Sequence, residues 1–128
     1  MRKLLIGLTA MGFIVALGAP ALAKVETVKG QLVDQGCYKM NKVNTGDRHE
    51  MKNGPRENCA TECAKQGHAV AVLTSEGKVY QVTGDLAANN NDKLIAHMAH
   101  TVEVTGDVTT EQDGSMKIAG AGLKMISK

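Results

Sequence analysis

Cys37, Cys59 and Cys63 are the three cysteines of the chain, and their spacing admits two kinds of chemistry. On a helix, Cys59 and Cys63 would share a face, four residues apart, with Cβ atoms about 5–6 Å from each other. A disulfide needs roughly 3.5–4.5 Å between those atoms, so the two are poorly placed to bridge one another. The same spacing suits two ligands on one metal, and Cys37 would add a third thiolate. Three soft sulfurs select Cu(I) or Zn(II) over harder cations. The other chemistry is a disulfide from Cys37 to Cys59 or to Cys63, closing a loop of about 22–26 residues and contributing on the order of 3 kcal/mol. Three thiols cannot all pair within one monomer, so at least one sulfur is free, metal-bound or shared with a partner. Spacing alone leaves both chemistries open. A catalytic thiol–disulfide role ranks below them, because Cys-x3-Cys lacks the Cys-x-x-Cys arrangement that lowers the attacking thiol's pKa.

Two histidines extend the candidate ligand set. His68 follows Cys63 by five residues, and His49 lies in a polar stretch with Met40 and Met51 nearby; either would complete a coordination sphere. The metal-ligand candidates are therefore Cys37, Cys59, Cys63, His68 and His49. His97 and His100, three apart, read instead as an exposed pair on a short amphipathic helix. Met98, Met116 and Met125 fall on apolar positions and read as gap-filling core residues. No glycine-rich phosphate loop leads from a strand into a helix, and no serine sits in a nucleophile-elbow pattern. Asp34, Asp85 and Asp107 stand at strand ends, where turn formation accounts for them. The expectation is a binding module without catalytic activity that holds copper or zinc. The alternative is a structural or partner-binding module, fixed by a Cys37 disulfide and serving a periplasmic protein partner.

The compartment decides how those sulfurs behave. Arg2 and Lys3 precede an almost wholly apolar run from Leu4 to Leu17, and Ala21-Leu22-Ala23 is a small-x-small cleavage site, the pattern of a cleaved export signal covering residues 1–23. The expected location is the periplasm or the medium. Disulfides persist there, and free thiols need a reason to be free. Cleavage takes 23 of the 128 residues and leaves 105, enough for a single small domain spanning 24–128. It also takes two of the 15 Lys and Arg, leaving 13 against 13 Asp and Glu. A formally neutral domain has no electrostatic claim on nucleic acid or on an anionic membrane.

The elements that must position the cysteines follow from periodicity. Thr101 to Thr109 alternates apolar and polar residues, as a strand with one buried face does. Val28, Gly30 and Leu32 give a first strand. Ala69 to Leu73 and Val79 to Thr83 form a hairpin closed at Glu76-Gly77, and Met116 to Ile126 supplies a last strand or two, interrupted at Gly120-Ala121-Gly122. Glu57 to Gln66 reads as a helix that follows Pro55 and stops at Gly67. A second, short helix capped by Asp92 presents Leu94, Ile95 and Met98, after an asparagine run that tolerates left-handed backbone. Five mainly antiparallel strands with a helix between the third and fourth is the order of a five-stranded OB-fold-like Greek-key barrel. The long polar segment from Lys39 to Asn58 is then a functional or mobile loop.

The runs Leu32-Val33-Asp34 with Cys37-Tyr38, Cys59-Ala60 with Cys63-Ala64 and Gly67, Ala71-Val72-Leu73-Thr74 with Gly77-Lys78-Val79-Tyr80, and Val102-Glu103-Val104-Thr105-Gly106 resemble a widespread group of small exported bacterial proteins. That group is generally regarded as OB-fold-like and is mostly without an assigned function. The resemblance spans nearly all of the chain after the signal, and the Cys-Tyr plus Cys-x3-Cys spacing is its most specific part. It implies the fold and an exported location, and no activity. His68 departs from the pattern, which has a small residue or a proline nearby.

With Phe13 in the signal, Tyr38 and Tyr80 are the remaining aromatics. Single-stranded nucleic acid needs aromatic platforms in a basic groove. The mature protein should therefore show no micromolar affinity for an oligonucleotide at physiological salt, measured by fluorescence anisotropy; a saturable micromolar isotherm would contradict this reading.

Overall fold

The computed structural model describes residues 23–128. Apart from Ala23, the expected export signal lies outside the described residues. A long strand β1 (Lys24–Asp34) runs into a short helix α1 (Gln35–Met40). A ribbon of β2 (His49–Met51) and β3 (Gly54–Arg56) follows, then helix α2 (Cys59–Lys65) and strands β4 (Val70–Leu73) and β5 (Val79–Thr83). A 3-10 turn (Gly84–Ala87) leads to α3 (Ala88–Ile95), and β6 (Thr101–Thr110) and β7 (Met116–Ser127) end the chain.

Strands β1-β4-β5-β7-β6 close into a barrel in that order. All pairings are antiparallel except β5 with β7. With α3 between the third and fourth barrel strands, this is the expected OB-fold-like arrangement. The alternation in β6 works as read: Val102 and Val104 are fully buried and join Leu32, Val72 and Ile118 in the core, which Leu94 and Met98 close from the α3 side. β7 is one continuous strand whose register slips where Thr105 pairs with Gly122 and Gly106 with Gly120, leaving Ala121 as the bulged residue. Beyond that bulge Met125 is 42% exposed, so it is not a core residue, whereas Met98 is.

β1 serves two partners. Its first residues pair with β6 and its last with β4, and Gln31 pairs with both. The strand must bend at that changeover, and Gly30 allows it: a Cβ there would lie 2.2 Å from the Leu73 carbonyl oxygen. Beyond the bend the end of β1 stays paired with β4 as far as Asp34, and α1 begins at the next residue.

The first long connection departs from expectation. It contains α1 and the β2–β3 ribbon, and Pro55 sits in β3 opposite Glu50 instead of opening the cysteine helix. A two-stranded ribbon has free edges, which is where a residue without an N–H is tolerated. Cys37 is carried by α1. Asp92, expected to cap the second helix, falls inside α3, which opens with Asn89, Asn90 and Asn91 in left-handed backbone at φ of 53°, 55° and 61°. That turn places the buried Asn91 amide so that its Nδ2 donates to the carbonyls of Ala64 and His68, both at 2.9 Å. The end of α2 is thus tied to α3.

Val104→Asp should unfold the domain, because an unpaired carboxylate would enter a core that cannot absorb a cost of several kcal/mol. Circular dichroism on heating would show no cooperative transition. A wild-type melting curve would mean that position 104 faces water.

Candidate metal centre

The site begins at the end of β1. Asp34 is in extended backbone, and its Oδ1 accepts the Cys37 N–H at 2.7 Å, capping α1. This fixes the residue three positions into the helix, so Cys37 is held by the cap itself. On the other side, α2 presents Cys59 and Cys63 one turn apart on the same face. Its preceding residue, Asn58, makes no capping bond. Asp47 does so from the loop: its Oδ1 accepts the Thr61 N–H at 2.8 Å, and its backbone carbonyl accepts that of Ala60 at 3.2 Å.

Buried Asn44 locks the loop to α1. Its Nδ2 donates to the carbonyls of Cys37 and Glu50, both at 3.4 Å, while its Oδ1 accepts the Glu50 N–H at 2.8 Å. His49 belongs to this scaffold. It is fully buried with Nε2 3.0 Å from the Gly46 carbonyl, and it neither lines the cysteine cavity nor joins a ligand cluster.

His68 reaches the site through the C-terminus of α2. Gly67 takes φ of +85°, its N–H bonds to the Ala64 carbonyl, and the His68 N–H bonds back to the Cys63 carbonyl at 3.1 Å. This is a Schellman closure, and it needs a residue without a Cβ at its left-handed position. It turns the chain so that His68 Nδ1 lies 3.8 Å from Asp34 Oδ2.

Two ligand groups result. The Sγ atoms of Cys37, Cys59 and Cys63 all lie within 4.8 Å of one another, and so do the ligand atoms of Asp34, Cys63 and His68. All three thiols are free, so no Cys37 staple is present. A disulfide needs sulfurs about 2.05 Å apart. Three thiolates on one metal, with bonds of about 2.3 Å, stand roughly 3.8–4.0 Å from each other, which falls within the observed spread. Cys37 and Cys59 are buried and Cys63 is half-buried, at the wall of a cavity of about 520 Å³ also lined by Met40, Met51 and Arg56. His97 and His100 lie outside both clusters; they are half-buried, not exposed as expected.

Electrostatics favour a cation here. Burial, and next the Asp34 charge, push the Cys37 thiol up to about 12; the same two causes push Cys63 up to about 11, slightly opposed by Arg56. Without a metal these sulfurs hold their protons at neutral pH. That is the reverse of the electropositive setting that activates a nucleophilic cysteine. Asp34 is the residue that sequence reading underrated. It does end a strand, but its place three residues before Cys37 accounts only for Oδ1, which caps α1, and leaves Oδ2 to the cluster.

Raised thiol pKa values leave a mark on the reduced, metal-free protein. The unfolded thiols ionise near 9 and the folded ones near 11 to 12, so their stabilising contribution is complete below pH 9 and is lost as pH rises through 11. The melting temperature should therefore fall across that window, and less steeply in Cys37→Ser. Iodoacetamide at pH 8 should modify the folded protein at least about tenfold more slowly than the urea-unfolded chain; equal rates would contradict the burial described.

No family model, no curated protein and no solved structure matches this chain, so its function is read from the chemistry of the cluster itself.

Proposed function

We propose that this protein is an exported, non-catalytic binding module that holds one transition metal on Cys37, Cys59 and Cys63, with copper(I) the first choice and zinc(II) the second. The observation that carries the reading is the convergence of three free sulfurs, from two separate helices, to within 4.8 Å at the wall of an open cavity. Three thiolates suit both metals. Copper ranks first because Met40, 71% exposed, and Met51 add soft thioethers to the same cavity. The signal-like first 23 residues support a periplasmic or secreted location, where the physiological partner would be the metal ion or a protein that delivers or receives it.

The reduced mature protein should take up one Cu(I) in competition with a Cu(I)-selective chelator. Cys59→Ser or Cys63→Ser should each weaken binding by about 100-fold or more, since either removes half of the pair that α2 preorganises, while His97→Ala should have no effect. Affinity should drop by at least about tenfold per pH unit below pH 7, because the metal must displace at least one thiol proton. No uptake of Cu(I) or Zn(II), or uptake that survives both cysteine substitutions, would overturn the reading.

A further inference from the structure

Cys63 belongs to two ligand groups at once. It is the one residue shared by the cysteine triad and by the set of Asp34, Cys63 and His68, which offers oxygen, sulfur and nitrogen within 4.8 Å of one another. Asp34 is 2% exposed and lines the cavity, yet its Oδ2 has no hydrogen-bond partner. A buried carboxylate oxygen without a partner is costly, and native proteins leave few of them unless an ion or a functional group meets it. The nearest basic group is His68 Nδ1 at 3.8 Å, too far for a hydrogen bond. That gap fits between the roughly 3.4 Å chord of two 2.1 Å metal bonds at a tetrahedral angle and their roughly 4.2 Å linear limit.

Charge points the same way. With metal bound, three thiolates and one carboxylate put four negative charges around the two clusters. One divalent ion would leave two of them uncompensated, which burial disfavours strongly. With zinc in the thiolate centre, a second divalent ion balances all four ligand charges with His68 neutral, and Arg56 at the cavity wall is the further cation near Cys63.

We infer that the thiolate centre is half of a binuclear site, in which a second divalent cation binds Asp34 Oδ2, His68 Nδ1 and Cys63 Sγ, and the Cys63 thiolate bridges the two ions. A mixed oxygen, nitrogen and sulfur set suits zinc, and a shared sulfur sets the ions about 3.5–4 Å apart, as in other two-metal sites. The inference rests on the three-thiolate reading above, and its test separates the two.

The reduced mature protein is titrated with Zn(II) against a chromophoric chelator, and the product is weighed by native mass spectrometry. The wild type should hold two zinc ions per chain. His68→Ala and Asp34→Asn should each hold one; asparagine caps a helix as well as aspartate does, so the second substitution removes the ligand charge and keeps α1. In the Co(II)-loaded wild type, exchange through the bridging sulfur should depress the high-spin electron paramagnetic resonance signal per cobalt, and His68→Ala should restore it. One zinc in the wild type and in both variants sinks the binuclear site and leaves the three-thiolate centre standing. Two zincs retained by both variants put the second ion elsewhere and also sink it. No zinc and no Cu(I) in the wild type sinks both readings. Should a variant lack a cooperative melting transition, the wild-type stoichiometry and cobalt signal decide alone.

Discussion

One carboxylate governs the geometry of the cysteine cluster. Asp34 ends β1, and a single oxygen of its side chain orders the first turn of α1 and with it Cys37. Burying a carboxylate is costly unless its oxygens are met, and only one of them is met within the protein. The other faces His68, beside the sulfurs. The strand, the first helix and the candidate metal ligands are therefore coupled through one residue. A change at Asp34 acts on the position of Cys37 and on the charge that the cluster presents.

The remaining ligands are placed by polar contacts more than by packing. α2 buries Ala60 and Ala64 against the core, which fixes its face. Its start is held by Asp47, its end by the Schellman turn at Gly67 and by the Asn91 amide. Asn44 fills the interior of the loop with matched hydrogen bonds, and His49 fills it with a ring held through Nε2 to the Gly46 carbonyl. Such a scaffold holds its geometry only when most donors and acceptors are matched. Asp34 Oδ2 and the Nδ1 atoms of His49, His97 and His100 are the buried side-chain atoms left unmatched among the described residues, and of these only the Asp34 oxygen lies in a ligand cluster.

The barrel was legible in the sequence because its signals are periodic and local. Alternation through Val102 and Val104 gave the buried face of β6, the Glu76-Gly77 turn gave the β4–β5 hairpin, and the asparagine run gave the left-handed entry to α3. The first connection was not legible, since α1 and the β2–β3 ribbon are too short to show a period and depend on side chains that act at a distance. Asp47 caps a helix whose bound amide is fourteen residues away, and no spacing rule reports that. Pro55 misled for a related reason: the rule placing proline at a helix start is local, whereas the ribbon that holds it depends on pairing with Glu50. In the site, Cys-x3-Cys and the nearby His68 carried enough spacing information to be found. His49 looks like a loop histidine free for ligation, but its ring turns inward to Gly46. The second oxygen of Asp34 has no sequence signal at all, because capping already explains an aspartate at that position.

The central claim is that sulfur from α1 and α2 meets on one metal. X-ray absorption at the metal edge of the zinc-loaded mature protein tests it most directly. The account predicts a first shell dominated by sulfur at about 2.3 Å; a shell of oxygen and nitrogen alone at about 2.0–2.2 Å, with no sulfur contribution, would contradict it.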